Sequence, residues 1–529
     1  MPNDCISYQK SGYFSPLMND YLDQNPKIQS LYNRFPTFEN FEAQIVEKQN
    51  NFNNSHRNSL VSVLQKQYTG IEISHLTQQN IESLKVNNTF TVTTGHQLNL
   101  FSGPLYFLYK IISTINLTTE LKVKYPAYNF VPIYWMATED HDFEEINYFN
   151  FKGKKFRWNK KSTGPVGRLS TEGLTDFFEI FAQELGSSTN AETLKKLFQE
   201  AYLNHTNLAD ATRYLANSLF GSHGLVIIDA DNADLKQNFI PYIKEELLHQ
   251  TAYKKVIETT EKLKEYTIQV NPREINLFYI EDNLRERIIY ENGKYTVNNT
   301  KINFSEGEIL ALAESNPEKF SPNVIMRPLY QEVILPNLCY IGGGGEIAYW
   351  LELKSFFDAV KISFPILLVR NSVLLATEKQ FKKADKLDLS WSDLFSKQSD
   401  LVNNKVQILS EIDIDLSLLK TQLQTQFNIL NEITTKTDPS FAGAVKAQEI
   451  KQIKGLEKLE KRLLKAEKIK LKDTLTRITD LQNELFPNQS LQERQANFSE
   501  FYIESGEHLI SKLIESLNPL EQRFDIIGL

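Results

Sequence analysis

The order of elements between residues 89 and 136 constrains this chain more than any other feature. Phe90-Thr91-Val92-Thr93 is a β-prone run that ends at Gly95. Leu105 to Leu117 is an apolar stretch long enough for a buried helix, and Phe130 to Met136 is a second apolar strand ending at an acidic cluster. Strand, glycine turn, helix and strand in this order predict a βαβ unit with a parallel sheet. The same strand pattern returns at Leu225 to Ile228, around Ile341, and at Phe364 to Val369.

With 529 residues the chain has room for about three or four domains. Residues 1–150 read as the first part of an α/β core. Residues 151–220 read as a helical insertion that opens on a Lys/Gly loop, Lys152 to Gly167. Residues 221–240 return to a core strand, 241–325 form a mixed insertion, and 326–384 complete the core. In the mixed insertion Asn292-Gly293 predicts a hairpin turn, because these residues tolerate positive φ. Ser305 and Glu308 have capping-box spacing for a short helix. Residues 385–486 predict a coiled-coil hairpin. Leu416, Leu419, Leu423, Leu430 and Ile433 step by threes, fours and sevens, and Asp438-Pro439-Ser440 interrupts them. Leu456, Leu459 and Leu463 resume the pattern, and Leu464, Leu471, Ile478 and Leu485 carry it on at seven-residue spacing. Residues 487–529 read as a helical segment that packs back on the core.

Charge and cysteine content exclude several functions. The formal net charge is −8, so no global positive field holds a polyanion, and nucleic acid is a poor first partner. The Lys-rich stretch 436–485 has 12 basic and 8 acidic residues, which suits a solvated coiled coil. The only cysteines are Cys5 and Cys339, too few for a zinc ribbon or a disulfide framework. The polar N-terminus lacks a secretory pattern and no run of about 18 apolar residues occurs, so a cytoplasmic protein is expected.

Three local clusters carry candidate chemistry. Gly95-His96-Gln97, with Asn99, Ser102 and Gly103, lies where a strand feeds a helix. It reads either as a tight turn or as a site for phosphate or carboxylate. Asp140-His141-Asp142 follows the second strand, where open parallel sheets bind ligands. Such a cluster could orient an amine, bind Mg²⁺ or tune a histidine, or it could cap the next helix. No second His-rich or Cys-rich cluster supports a metal site. Tyr340 to Glu346 holds four successive glycines in a chain with 21 glycines in all, between apolar and aromatic flanks that include Tyr349. This favours a buried ligand loop over a linker.

Four stretches carry a wider resemblance: TTGHQLNLFSGPLYFLYKIIS (93–113), VPIYWMATEDHDFEEIN (131–147), RPLYQEVILPNLCYIGGGGEIAYWLELKSFF (327–357) and NQSLQERQANF (488–498). In these, the chain resembles the cysteine-adding enzymes of bacillithiol biosynthesis over essentially its whole length. The resemblance implies a Rossmann-like core related to class I aminoacyl-tRNA synthetases, two connecting-peptide insertions and a dimerising coiled coil. It implies a ligase that joins L-cysteine, through its carboxyl group, to the amine of glucosaminyl-malate. Two positions depart from the family pattern. His96 stands where Gln is usual, which implies binding over a required catalytic histidine. Gly344 stands where Pro is common, which implies a more flexible loop.

On this resemblance Asp140, His141, Asp142 and Glu346 are the expected catalytic group, with Glu346 on the cysteine ammonium. Gly95, His96, Gln97, Asn99, Ser102, Gly103, Tyr340, Gly343, Gly344, Gly345 and Tyr349 are expected to bind substrate. An ATP or ADP pocket is expected at Arg370, Ala376, Gln492, Arg494 and Asn497, near the coiled coil, with ordinary anchoring of that segment as the alternative. Two other functions stay open at this point: a nucleotidyltransferase that makes an adenylate, and a nucleotide-binding dimeric regulator.

Overall fold

The structure, a computed structural model, describes residues 4–529. It divides into two compact units. One comprises residues up to Leu375 together with Leu491–Ile527, and the other comprises Ala376–Ser490.

The first unit is built on a parallel sheet of five strands: β1 (Thr89–His96), β2 (Asn129–Met136), β3 (Val226–Asp229), β4 (Asn337–Gly342) and β5 (Ile366–Val369). Their spatial order is β5-β4-β1-β2-β3, every neighbour parallel. Chain order therefore reverses between β1 and β4. In such a sheet a crevice opens at that point, outside the carboxyl ends of the strands. All of β1 is buried, as expected for a strand covered on both faces. Phe90 and Val92 pack with Leu117 and Leu121 of the helix α1 (Tyr106–Lys124), and with Leu338, Ile341, Ile366 and Leu368 of the neighbouring strands. The threonines between them are not orphaned: Thr91 and Thr93 both donate to the Asn337 side chain, at 3.2 and 2.8 Å.

The βαβ reading matches this sheet, and so does the hairpin. Glu291 pairs with Lys294 across Asn292 and Gly293, whose φ angles are 53° and 77°. The hairpin belongs to a separate five-stranded sheet that contributes Leu277–Glu281 and Leu284–Glu291. Two expectations differ. The segment read as a Lys/Gly loop after residue 151 is an antiparallel hairpin, Tyr148–Phe151 with Lys154–Arg157. Lys152 and Gly153, at φ 48° and 76°, make its turn, and Phe149, Phe151 and Phe156 bury themselves around Phe181. The chain also closes on a strand. Arg523–Gly528 pairs with Asp4–Ser7, a contact between the two ends that no local pattern announces.

The second unit holds the hairpin of long helices, α3 (Ser417–Thr434) and α4 (Pro439–Lys470). They run antiparallel, because Lys420 reaches Glu460 while the later Gln424 reaches the earlier Glu449. Asp438 caps the Ser440 amide and Pro439 takes the first turn, so the break in the sequence pattern is a helix start. Among the described residues no helix is long and apolar enough to cross a membrane.

Candidate active site

A cavity of about 780 Å³ opens at the reversal point of the sheet. Gly95, at the end of β1, sits beside the end of β4: a Cβ there would stand 3.3 Å from the Tyr340 hydroxyl. Bare backbone is therefore what lets the two strand ends close the cavity floor. Lys110 reaches back from α1 to the Gly95 carbonyl and to Glu346, 2.7 Å from its Oε2. Glu346 sits in the first turn of α2 (Gly344–Leu351). Its carboxylate also accepts from the Tyr340 hydroxyl at 2.9 Å and from the Gly343 amide at 2.9 Å. Burial alone would raise its pKa, but the Lys110 ammonium and these donors hold it below the usual range. The donors fill both oxygens, so a substrate ammonium must find its acceptor elsewhere.

His96 lines the cavity and is buried. Burial, with the Lys110 charge nearby, pushes its pKa down to about 3. The Ser102 backbone lies beside the ring, and Nε2 is buried with no partner. His96 is therefore a neutral ring with an unused nitrogen. Beside it runs a turn in which Phe101, Ser102 and Gly103 all have positive φ (48°, 65° and 62°). Asn497 holds that turn by donating to the carbonyls of Phe101 and Gly103 at 2.8 and 2.6 Å.

Asp140 lies at the edge of the cavity. Its Oδ2 accepts from Gln97 at 3.0 Å, and its Oδ1 accepts from the amides of His141 and Asp142 at 2.7 and 3.3 Å. His141 stands behind it. Arg285 Nη1 lies 2.7 Å from His141 Nδ1, and a guanidinium can only donate. Nδ1 is therefore the acceptor and the ring proton sits on Nε2. Burial and the Arg285 charge push the His141 pKa down. His141 thereby helps hold Arg285.

Cations dominate the walls. Seven basic side chains line the cavity against three carboxylates, Glu139, Asp140 and Glu346. Arg273, Arg285 and Arg287 come from the mixed segment, and Arg370 and Arg494 from the opposite side. Arg327 is held by neutral groups alone. It donates to Gln331 and Tyr349 at 3.1 and 3.2 Å, and it stacks 5.5 Å from the Tyr340 ring. No carboxylate lies within ion-pair distance of it among the described residues. Arg370, by contrast, makes a bidentate pair with Glu493 at 2.6 and 3.0 Å.

Two family models cover the chain. Residues 1–371 match "Bacillithiol biosynthesis BshC, N-terminal Rossmann-like domain", and residues 373–529 match the C-terminal coiled-coil domain of the same family. The chain belongs to the bacillithiol biosynthesis BshC family. A Flavobacterium johnsoniae relative is 72% identical over the full length of both chains. A Flavobacterium psychrophilum relative is 66% identical over 100% of this chain and 99% of its own. A more distant one from Staphylococcus carnosus is 28% identical over 94% of this chain and 95% of its own. Each bears the name "Putative cysteine ligase BshC".

Of the residues singled out in the sequence, this BshC-family fold brings Gly95, His96, Gln97, Asp140, Tyr340, Gly343, Gly345, Glu346, Tyr349, Arg370 and Arg494 onto one cavity. Asp142 is exposed and lies off it, and His141 stands behind it. Asn99, Ser102 and Gly103 shape the turn under His96. Gln492 exchanges two hydrogen bonds, each 2.9 Å, with the Leu375 backbone, and Ala376 ends the strand Ser372–Ala376. Sequence reasoning missed Lys110 and the arginines at 273, 285, 287 and 327. Lys110 did carry a signal, as the one charge inside the apolar run from Leu105 to Leu117.

Proposed function

We propose that the protein is a ligase that joins L-cysteine, through its carboxyl group, to the glucosamine amine of glucosaminyl-malate, giving bacillithiol. The observation that carries this reading is the cationic cavity in an acidic chain. Seven basic groups face three carboxylates there, while the whole chain has a net charge of −8. Charge segregated in this way focuses an anionic substrate into the crevice. The malate arm of glucosaminyl-malate supplies two carboxylates, and Arg327, half-buried with no carboxylate of the described residues within ion-pair distance, is a natural partner for one of them. Asp140, fixed by Gln97 and two amides, then stands at the edge as the group that takes a proton from the sugar amine. His96 Nε2 offers an acceptor to a hydroxyl or N–H of the bound sugar.

A carboxylate does not acylate an amine at neutral pH without an activated leaving group. ATP bound in this cavity would supply that activation, with Arg273, Arg285 and Arg287 as the residues to hold its phosphates. The volume of about 780 Å³ lies within the range of small-molecule sites and the wall charge suits phosphate. A core of the class I synthetase type belongs to the same reading, with 151–220 and 241–325 as connecting-peptide insertions, and so does a cytoplasmic location. It also includes a homodimer through the coiled coil. That dimer is supported by apolar side chains left exposed on α3 and α4, among them Leu418 at 70%, Ile429 at 58% and Ile469 at 68%.

The deciding experiment incubates pure protein with cysteine and glucosaminyl-malate, with and without ATP, and looks for bacillithiol by mass spectrometry. Product is expected only with all components present. Pyrophosphate release with ATP and cysteine but without the amino sugar points to an adenylate-forming first step, and absence of product in every mixture refutes the ligase reading.

A further inference from the structure

A second, smaller cavity of about 140 Å³ adjoins the first. Phe14 and Met18, from the N-terminal segment, face Gly344 and Ala348 of α2 across it. Gly343, Gly345, Arg370 and Arg494 line both cavities and form the wall between them. The backbone comes close here: a Cβ on Gly344 would stand 3.2 Å from the Phe14 ring and 3.6 Å from Met18. Size limits the occupant. A cavity of about 150 Å³ holds a molecule of benzene's size, so an amino acid of about seven heavy atoms fits and a nucleotide does not.

Arg370 points to the ligand's charge. Its residue is 3% exposed, and its two terminal nitrogens are bound by Glu493, Asn371 and Ser372. Its Nε is buried with no partner and lies 3.8 Å from where a Cβ on Gly343 would stand. A buried donor left unpaired is costly, so this wall suits an acceptor that arrives with the ligand. Arg494, exposed at the same wall, adds a positive charge beside the Arg370–Glu493 pair, both members of which line the cavity. The free Nε of Arg370 and the Arg494 charge together match a carboxylate. Gln269 Oε1, 3.9 Å from a Cβ position on Gly345, offers an acceptor for an ammonium. The far side suits a thiol, because sulfur packs favourably against aromatic rings and thioethers.

We propose that the smaller cavity is the seat of the amino-acid substrate. Its carboxylate lies against Arg370 and Arg494 on the shared wall, and its thiol side chain lies between Phe14, Met18 and Ala348. This rests on the ligase reading, and it leaves the carboxyl carbon facing the larger cavity, where the sugar amine binds.

Two variants and one crystal test it. Ala348→Leu narrows the thiol end, and Arg494→Met removes the exposed charge without touching the core. Each is expected to raise KM for cysteine about tenfold or more, and Ala348→Leu is expected to move KM for glucosaminyl-malate less than about twofold. Crystals grown with L-selenocysteine are expected to show an anomalous peak between Phe14 and Met18; this and Arg494→Met decide the matter should Ala348→Leu fail to fold. Calorimetry with L-cysteine separates this subsite from the reaction. Cysteine binding that both variants weaken, with no amide ever formed, keeps the subsite and sinks the ligase reading. Amide formation with unchanged cysteine KM in both variants, a selenium peak in the larger cavity, or no cysteine binding to the folded wild type overturns the subsite.

Discussion

Replacing Arg327 by Met separates what this guanidinium does for the fold from what it does for substrate. The side chain packs, half-buried, against Trp135, Tyr340 and Trp350, with ring centroids 5.9, 5.5 and 5.9 Å away. Burial disfavours the cation, but the neighbouring tyrosines and the Glu346 charge outweigh it and raise its pKa above the ordinary value. Met keeps the apolar stem and removes the charge, so the unliganded protein is expected to change by only about 1 kcal/mol in either direction. The loss should appear on binding. One charge-assisted hydrogen bond to a carboxylate contributes about 1.5–3 kcal/mol, which is about a 10- to 150-fold rise in KM for glucosaminyl-malate. A thermal-shift assay gives a second reading. Ligand at about 100 times the wild-type Kd stabilises by about 2.7 kcal/mol, and a hundredfold weaker Kd leaves only about 0.4 kcal/mol. If the variant keeps its KM within about threefold and its full ligand-induced shift, Arg327 does not meet a substrate carboxylate and the charge argument for this cavity fails.

Asp140→Asn is expected to lower kcat by about 10²–10⁴, the usual contribution of a positioned general base. His141→Gln should cost less than about tenfold and leave the pH profile in place, because that ring accepts from Arg285; equal losses in the two variants would refute the assignment. Glu352, buried at the end of α2, accepts from the Gln269 amide at 2.8 Å and leaves Oε2 unpaired, and burial raises its pKa from the ordinary 4.5 to about 7. Its folded-state pKa is the higher one, so its contribution to stability is full below about pH 4.5 and is lost as pH rises through about 7, by at most about 3 kcal/mol. Glu352→Gln should therefore gain on wild type in melts at pH 8 and not at pH 4, and an equal difference at both would count against this. Asn497→Ala removes both donors that hold the turn under His96, and a fall of about tenfold in kcat/KM at unchanged cysteine KM is expected, measured by steady-state kinetics.

The sheet and the long helices were legible because each repeats a physical period along the chain. The run from Phe90 to Thr93 needed only Gly95 after it to mark a strand end beside the cavity. Heptad spacing announced α3 and α4. It did not announce that the stretch beyond Lys470 turns to another partner, where Gln482 donates to the carbonyls of Leu394 and Ser396. Glycine loops and acidic clusters were visible as local motifs. The arginines were not. Arg285 and Arg287 alternate along an ordinary strand, and only the packing of that separate sheet brings them to the cavity. The hairpin after Tyr148 was hidden for a related reason, since Lys152 adopts a positive φ that Lys seldom takes.

The segment after Leu491 shows why some residues matter to a site they do not line. Glu493 fixes the two terminal nitrogens of Arg370 and so leaves only Nε for a ligand. Asn497 fixes a turn of three positive-φ residues, whose Ser102 backbone lies beside His96, where Nε2 is unused. In both cases a buried side chain from the last forty residues fixes the setting of a polar group that keeps one nitrogen unpaired. Such arrangements cost stability, because each leaves one buried polar atom unmatched until a ligand arrives. They also leave each group one nitrogen for a ligand: Nε of Arg370 and Nε2 of His96. The chain's return to the sheet after the coiled coil is therefore part of the candidate site, and the polar residues clustered at 492–497 act through the groups they hold, except Arg494, which faces both cavities itself.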